Sequence, residues 1–360
     1  MGELGTLVDT KRHTHDELMA LAGVPALETA SVLARMATSN CEWRVSCPLD
    51  ALLGATDVLD AVWLPLKHAF PDLERRDNIF VGGMYQGRTY VAAIGHYCGT
   101  FRQDWLGIPA TGKPAFLRYG EVYEIRNGKI VQANCLWDIL DLIRQAGFWP
   151  IAKSTGTEGL WPGPFTGDGL VFHETDAVQS AANLAQTLAM HKTLGDYKDQ
   201  DGKGRDGLLA MPQRQHWHPR MMWYGPSGIG MSRGLEGFVD HHQLPFRLAF
   251  PNRTGGGQWD RVAEEKKRLG GGHYIRIGDG CYSVTGGWPS VMAIHAGGNF
   301  LGQSATNKVI TMRVMDFYLH HEGLIRENWV PIDILDVLRQ MGVDVFARIL
   351  DAPRRNSARS

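Results

Sequence analysis

Histidine side chains are concentrated in one part of this 360-residue chain, together with acidic residues that could exchange protons with them. Of the 14 histidines, eight lie between positions 216 and 321. Imidazole titrates near neutral pH, and a carboxyl group in apolar surroundings is brought toward the same range, so both suit general acid–base catalysis. We therefore predict catalytic roles for Asp240, His241, His242, His295, Asp316 and Asp333.

Two strand patterns position the acidic candidates. In the segment 327–333, period-two alternation puts Trp329 and Asp333 on one face, where apolar neighbours would raise the pKa of the carboxyl group. On the preceding strand, Asp316 and Tyr318 share a face within a largely apolar stretch. Each carboxyl group also has a structural alternative. Asp333 could cap the helix that follows, and Asp316 could be a buried carboxylate paired with a histidine or an arginine.

Aromatic residues near these groups predict a pocket for a small-molecule substrate. The predicted substrate-binding residues are His218, Trp223, Tyr224, Trp288, Tyr318 and Trp329. His216 and His218, with Asp240 or a neighbouring histidine, could in principle bind Zn²⁺ or Fe²⁺. Their spacing matches no closed metal motif, so we predict neither a metal nor another cofactor. A metal-assisted enzyme that uses the histidine cluster is kept as a second alternative.

The composition argues against several other classes of protein. The 37 Lys and Arg balance 38 Asp and Glu, whereas a nucleic-acid-binding protein needs an excess of basic residues. Five cysteines without a Cys-x-x-Cys pair indicate reduced thiols and therefore a cytoplasmic location. The longest uncharged run, 281–307, is interrupted by Gly and Pro, and the N-terminus has no signal-peptide pattern. We expect neither a membrane nor a nucleic acid as a partner.

The chain contains an internal repeat. The tetrapeptides 138–141 and 333–336 both read Asp-Ile-Leu-Asp, and Ala-Phe-Pro occurs at 69–71 and again at 249–251. The two copies run from about 41 to 151 and from about 216 to 350. A spacing near 190 residues is too long for a solenoid, so the repeat indicates a duplicated domain.

The repeat predicts two domains of one kind. We predict an N-terminal domain over 1–155, a linker over 156–172, a C-terminal domain over 173–352 and a tail over 353–360. A helical stretch precedes each copy and several strands follow it, including a hairpin at Asn127-Gly128, which predicts an α+β fold. The two copies are expected to pair within the chain as a pseudo-dimer, and a further homodimer is an alternative.

The motifs of both copies resemble the SnoaL-like polyketide cyclases of the nuclear transport factor 2-like superfamily. The resemblance rests on Ala-Phe-Pro, the segment Leu-Gly-x-x-Ala-Thr-x-Lys, the Gly-Lys-Ile hairpin and the ending 327–342. It implies two tandem cone-shaped barrels, each a curved, mostly antiparallel sheet packed on helices around an apolar pocket. It also implies that an Asp in the last strand, here Asp333 and by duplication Asp138, is the acid/base of an aldol-type ring closure without a cofactor.

The C-terminal domain is predicted to be the working copy. It holds most of the histidines and aromatic residues, whereas the family's Trp position in the first copy reads Asn134. We predict a cofactor-independent acid/base enzyme, a cyclase, isomerase or lyase, that acts on a small to medium, partly apolar carbonyl compound. The alternative is a non-catalytic protein of the same fold that binds a small molecule or serves as a scaffold.

Overall fold

The computed structural model describes residues 5–196, 204–251, 259–270 and 272–350 of the chain. The contacts within it separate two compact units. The first unit comprises Met1–Pro150, Pro162–Glu174 and Asp344–Ser360, and the second comprises Ile151–Trp161 and Thr175–Val343.

The first unit begins with helices and continues with strands. Its elements are α1 (Leu7–Gly23), α2 (Thr29–Met36), β1 (Ala37–Val45), β2 (Ala51–Leu53), α3 (Ala55–Val58), a π-turn (Leu59–Trp63), α4 (Leu64–Ala69), β3 (Glu74–Tyr85), β4 (Arg88–Thr100), β5 (Pro114–Arg126), β6 (Lys129–Trp137), α5 (Ile139–Gln145) and, from the C-terminal end of the chain, α12 (Val345–Leu350). The strands form one sheet in the order β2-β1-β6-β5-β4-β3.

The pairing within this sheet follows from local sequence. Asn127 and Gly128 both have positive φ, 50° and 73°, which is the backbone of the tight turn that joins β5 and β6 as an antiparallel hairpin. β1 runs parallel to β6, and the other neighbouring strands are antiparallel. Each strand of the hairpin has one further neighbour: β5 pairs with β4, and β6 pairs with β1.

The second unit repeats this order of elements. They are α6 (Ala177–Asp196), α7 (Gly204–Ala210), β7 (Trp217–Tyr224), β8 (Met231–Arg233), α8 (Gly234–Phe238), a π-turn (Val239–Gln243), α9 (Leu244–Ala249), α10 (Trp259–Leu269), β9 (His273–Asp279), β10 (Tyr282–Ile294), β11 (Asn299–Phe300), β12 (Gln303–Ser304), β13 (Val309–His321), β14 (Leu324–Trp329) and α11 (Ile334–Met341). Its larger sheet has the order β8-β7-β14-β13-β10-β9, and β7 is parallel to β14.

The predicted α+β class and the two similar halves are confirmed, because the strand order and the single parallel pairing recur in both units. Closed barrels are not formed. Each sheet has two edge strands, β2 and β3 in the first unit and β8 and β9 in the second. Each half is therefore an open six-stranded mixed sheet with helices.

The second unit carries an inserted helix. In the first unit residues 70–73 join α4 directly to β3, whereas α10 lies between α9 and β9 in the second unit. Charged residues dominate the sequence of α10. Among the helices in the described part of the chain, none combines the length and the apolar character needed to span a membrane.

Aromatic side chains fill the interior of the first unit. Trp63 lies edge-to-face against three other rings, those of Trp43, Tyr97 and Trp137, with ring centroids 5.8–6.4 Å apart. All four side chains are buried. Large rings packed in this way leave little empty volume at the concave side of the sheet.

Candidate active site

The second unit encloses a cavity of about 480 Å³ with a mostly apolar wall. This volume lies within the range typical of small-molecule sites. The titratable side chains in the wall are His191, His242, Arg247, Lys266, His273, Asp316 and Tyr318. They come from six elements of the unit, namely α6, the π-turn, α9, α10, β9 and β13.

The cavity exists because large rings of the first unit are replaced by smaller side chains. The replacements at matching positions are Trp63 by Gln243, Tyr119 by Val314 and Trp137 by Ile332. The three large side chains are buried in the first unit, and the three smaller ones line the cavity in the second. The lost ring volume leaves a hollow that can hold a ligand.

Asp316 is the carboxyl group of this cavity. It is the eighth residue of β13 and is half-buried, and the cavity gives it access to solvent. Burial raises the pKa of Asp316 to about 7, while hydrogen bonds from Tyr318 and Asn328 act in the opposite direction. A carboxyl group with this pKa can both take and return a proton near neutral pH.

A histidine from the first helix of the unit extends this group of polar residues. The His191 Nε2 atom lies 2.7 Å from the Tyr318 hydroxyl oxygen, and the His191 ring centroid is 5.4 Å from that of His273. Burial lowers the pKa of His191 to about 3 and that of His273 to about 4. Both imidazoles are therefore neutral at pH 7.

Asp333 is not at the cavity, and the structure places it in the structural role that competes with catalysis. Its side chain accepts a hydrogen bond from the Asp336 backbone N–H at 3.1 Å, which caps α11. It also pairs with Arg313 at 2.9 Å and is almost fully buried. Asp138 makes the same cap in the first unit and pairs with Arg118. The duplicated aspartate therefore holds a helix end in both copies.

The π-turn separates the three polar residues predicted to act together. Asp240 pairs with Arg205 at 2.6 Å near the surface, away from the cavity. His241 is exposed and lies at a separate hollow of about 220 Å³. His242 is the one that reaches the main cavity, where its ring stacks on Trp223 at a centroid distance of 4.1 Å.

Two further histidines from the prediction lie outside the cavity. His295 is fully buried against Phe250, at a centroid distance of 5.3 Å, and its Nδ1 atom lies 3.4 Å from the Thr306 hydroxyl. The His218 Nδ1 atom accepts a hydrogen bond from the Arg220 backbone N–H. Its Nε2 atom is 3.6 Å from the Glu322 carboxylate. Neither side chain lines the main cavity.

The predicted aromatic lining is found only in part. Trp223 and Tyr318 line the cavity. Tyr224 follows Trp223 in β7 and so points to the other face of the sheet, where it stacks on Trp329 at 5.1 Å. Trp288 lies beneath the guanidinium group of Arg313 instead, at 4.9 Å.

The phase of β14 explains why Trp329 does not line the cavity. Asn328 lines the cavity, so its neighbour Trp329 faces the opposite side. The prediction from the sequence missed His191, His273 and Lys266. The periodicity of the helix before the second copy could have indicated a buried face containing His191. No cluster of three or more potential metal ligands occurs in the residues that the structure describes.

Comparison with known proteins bears on the fold of the first unit. Residues 29–146 match the family model described as SnoaL-like polyketide cyclase. The first unit is therefore similar to the SnoaL-like polyketide cyclases. The resemblance inferred from the sequence is confirmed, and the second unit repeats the SnoaL-like strand order. No curated protein matches the chain.

Several solved structures are similar to part of the chain. A candidate SnoaL-like polyketide cyclase from a Jannaschia species is 17% identical, with 37% of this chain and 90% of that one covered and a TM-score of 0.30. IdmH, a candidate polyketide cyclase from Streptomyces antibioticus, is 17% identical, with coverages of 38% and 99% and a TM-score of 0.32. AclR, a candidate hydroxylase from Streptomyces galilaeus, is 15% identical, with coverages of 39% and 98% and a TM-score of 0.33.

Proposed function

We propose that the second unit is an acid/base enzyme that moves a proton next to a carbonyl group of a small to medium, partly apolar compound. The observation that carries this proposal is the position of Asp316 in an apolar cavity of about 480 Å³, with a pKa of about 7. The product is a cyclised, isomerised or dehydrated compound. The sequence predicts a catalytic role for both Asp316 and Asp333, and we assign the acid/base role to Asp316.

The proton transfer uses the carboxylate form of Asp316. In that form it removes a proton from the carbon beside the substrate carbonyl, and the protonated carboxyl group then returns the proton to another atom of the substrate. Hydrogen bonds from Tyr318 and Asn328 hold the carboxylate in place. The mostly apolar wall lowers the local dielectric constant, which strengthens electrostatic interactions at the reacting atoms.

We infer a structural, non-catalytic role for the first unit. Its carboxylate at the matching position, Glu121, is fully buried and ion-paired with Arg75 at 2.6 Å. Tyr97 and Tyr123 donate further hydrogen bonds to it, and the Trp137 indole N–H does so at 2.7 Å. A carboxylate whose oxygens are occupied in this way is out of reach of a substrate.

Deuterium exchange tests the proposed chemistry without knowledge of the natural substrate. The full chain is incubated with 2-tetralone in heavy water, and proton NMR follows exchange at the carbon beside the carbonyl group. We expect D316N to lower the catalysed rate by about 100-fold or more, the usual contribution of a general base. D240N is the matched control, because Asp240 lies near the surface in an ion pair with Arg205. Equal rates for wild type and D316N would remove Asp316 as the acid/base.

A further inference from the structure

His191, Tyr318 and Asp316 lie in a row in the wall of the cavity. The His191 Nε2 atom is 2.7 Å from the Tyr318 hydroxyl, and Asp316 lies two residues before Tyr318 on the same face of β13, where its carboxyl group interacts with that hydroxyl. A phenol has a single proton, so the Tyr318 hydroxyl can donate to one of its two neighbours at a time. The neighbour that receives this proton decides how well the carboxylate is stabilised.

The states of the two outer groups fix the direction of the row. A carboxylate is a stronger acceptor than a neutral imidazole nitrogen, so Tyr318 donates to Asp316. The Tyr318 oxygen is then left to accept, and His191 must carry its proton on Nε2 to donate to it. Because burial lowers the pKa of His191 to about 3, it is a neutral donor at pH 7 rather than a second charge.

We propose that His191 is a positioning residue that directs the Tyr318 proton onto Asp316 and so maintains the carboxylate as a base. Hydrogen bonds in a row polarise one another, and a hydroxyl that accepts a bond becomes a better donor. The catalytic meaning of this inference rests on the proposed function of Asp316. The hydrogen-bond direction itself does not.

In the first unit, the carboxylate at the matching position, Glu121, is held by different partners. Tyr123 lies two residues after Glu121, as Tyr318 does after Asp316, and donates a hydrogen bond to it at 2.5 Å. Arg75 supplies a positive charge at 2.6 Å. Among the described residues, no Arg or Lys lies within ion-pair distance of Asp316. The neutral donor His191 therefore assists the carboxylate without fixing it permanently in the charged form, as an arginine would.

Other titratable groups face the same cavity and must stay constant in a test. They are His242 from the π-turn, Arg247 from α9, Lys266 from α10 and His273 from β9. A substitution at His191 leaves all of them in place. The His191–His273 ring contact does change, so the comparison of H191L with H191Q separates the lost hydrogen bond from altered packing.

The experiment compares H191L with H191Q in the full, substrate-free chain. Carbon-13 NMR of labelled aspartate side chains gives the titration of Asp316, and D316N assigns its resonance. We expect H191L to raise the pKa of Asp316 by about one unit, because the Tyr318 hydroxyl becomes a weaker donor. H191Q keeps an N–H donor near Tyr318 and should restore most of the wild-type value. H241L, at an exposed histidine outside the main cavity, is the matched control and should change nothing.

Three results would overturn the proposal. The first is a lower pKa in H191L, which would mean that Tyr318 donates to His191 in the wild type, or an unchanged pKa, which would mean that His191 does not influence the carboxylate. The second is an equal rise in H191L and H191Q, which would trace the effect to packing. The third is a rise of the same size in H241L. Failure of the deuterium-exchange test would instead reject the proposed function, while the titration of Asp316 would still report the hydrogen-bond direction.

Discussion

Asp316 in the second unit and Glu121 in the first occupy the same position, the eighth residue of a 13-residue strand. Glu121 is sealed among aromatic rings and paired with Arg75 at 2.6 Å, whereas Asp316 faces a cavity of about 480 Å³. The duplicated fold thus presents one carboxyl group in two environments. Burial raises the pKa of Asp316 to about 7, whereas the oxygens of Glu121 are occupied by an ion pair and by hydrogen bonds from neighbouring rings.

The pH dependence of deuterium exchange should report Asp316. Because the base is the deprotonated form, the catalysed rate should rise from pH 5 to pH 8 with a midpoint of about 7, the pKa of this carboxyl group. Initial exchange rates measured at constant ionic strength give the profile. A midpoint near 4, typical of an exposed carboxyl group, would show that Asp316 is not the titrating base.

Asp316 should also make stability depend on pH. Its pKa is higher in the folded than in the unfolded chain, so the folded state binds the extra proton between about pH 4 and 7 and stability falls as pH rises through this window. D316N removes this titrating group, so the variant should not lose stability as pH rises through the same window. We expect the variant to be more stable than wild type by about 1–2 kcal/mol at pH 8, after allowance for water in the cavity, and equally stable near pH 4. Urea unfolding at both pH values measures the difference.

Substitution of Asp333 should affect stability rather than catalysis. D333A removes the cap of α11 and leaves Arg313 without its carboxylate, which should lower the free energy of unfolding by about 2–4 kcal/mol. D138A is the matched change in the first unit. The exchange rate per folded molecule should stay at the wild-type value for both variants. Loss of exchange in a folded D333A protein would return Asp333 to the catalytic group.

The cavity should close when the side chains of the first unit are put back. The double variant V314Y/I332W restores the Tyr119 and Trp137 types at their matching positions. We expect it to weaken binding of 2-tetralone by at least about tenfold, because the pocket volume is lost. Calorimetric titration measures the affinity. V314I, a small change at the same wall, is the control and should bind almost normally.

Glu121 should be needed for folding of the first unit but not for deuterium exchange by the second unit. E121Q leaves the buried Arg75 with less negative charge, which should lower the free energy of unfolding by about 3 kcal/mol. E124Q, on the same strand as Glu121, changes a carboxylate whose partners Arg88 and Arg126 are both exposed, and it should cost about 1 kcal/mol or less. Deuterium exchange by the second unit should be the same in both variants.

The fold could be predicted from the sequence because its signals are local and occur twice. The Asp-Ile-Leu-Asp repeat, the Asn127-Gly128 turn and the order of helices and strands are all visible in the chain. The pair Asp316 and Tyr318 was also found, because two residues on one strand at a spacing of two must share a face. That rule correctly brought both side chains to the cavity.

The remaining site residues depend on information that periodicity does not contain. His191 reaches Tyr318 from a helix more than a hundred residues earlier in the chain, so only the packing of α6 on the sheet brings the two together. Asp333 was assigned to the pocket from a strand phase, but β14 ends at Trp329 and the chain turns into α11 before Asp333. Asp can serve either as a helix cap or as a catalytic acid, and only its surroundings in the fold distinguish the two roles.

The π-turn of each unit is a place where a change in chain length would remodel the surface around it. A π-turn holds one residue more than an α-helical turn, and here it lies between α8 and α9 and sets His242 against Trp223. Deleting a single residue would convert it to regular α-helix and rotate everything on one side by about 100° relative to the other. One codon lost or gained at this point would exchange the whole set of rings presented to a bound compound, where point substitutions would alter them one at a time.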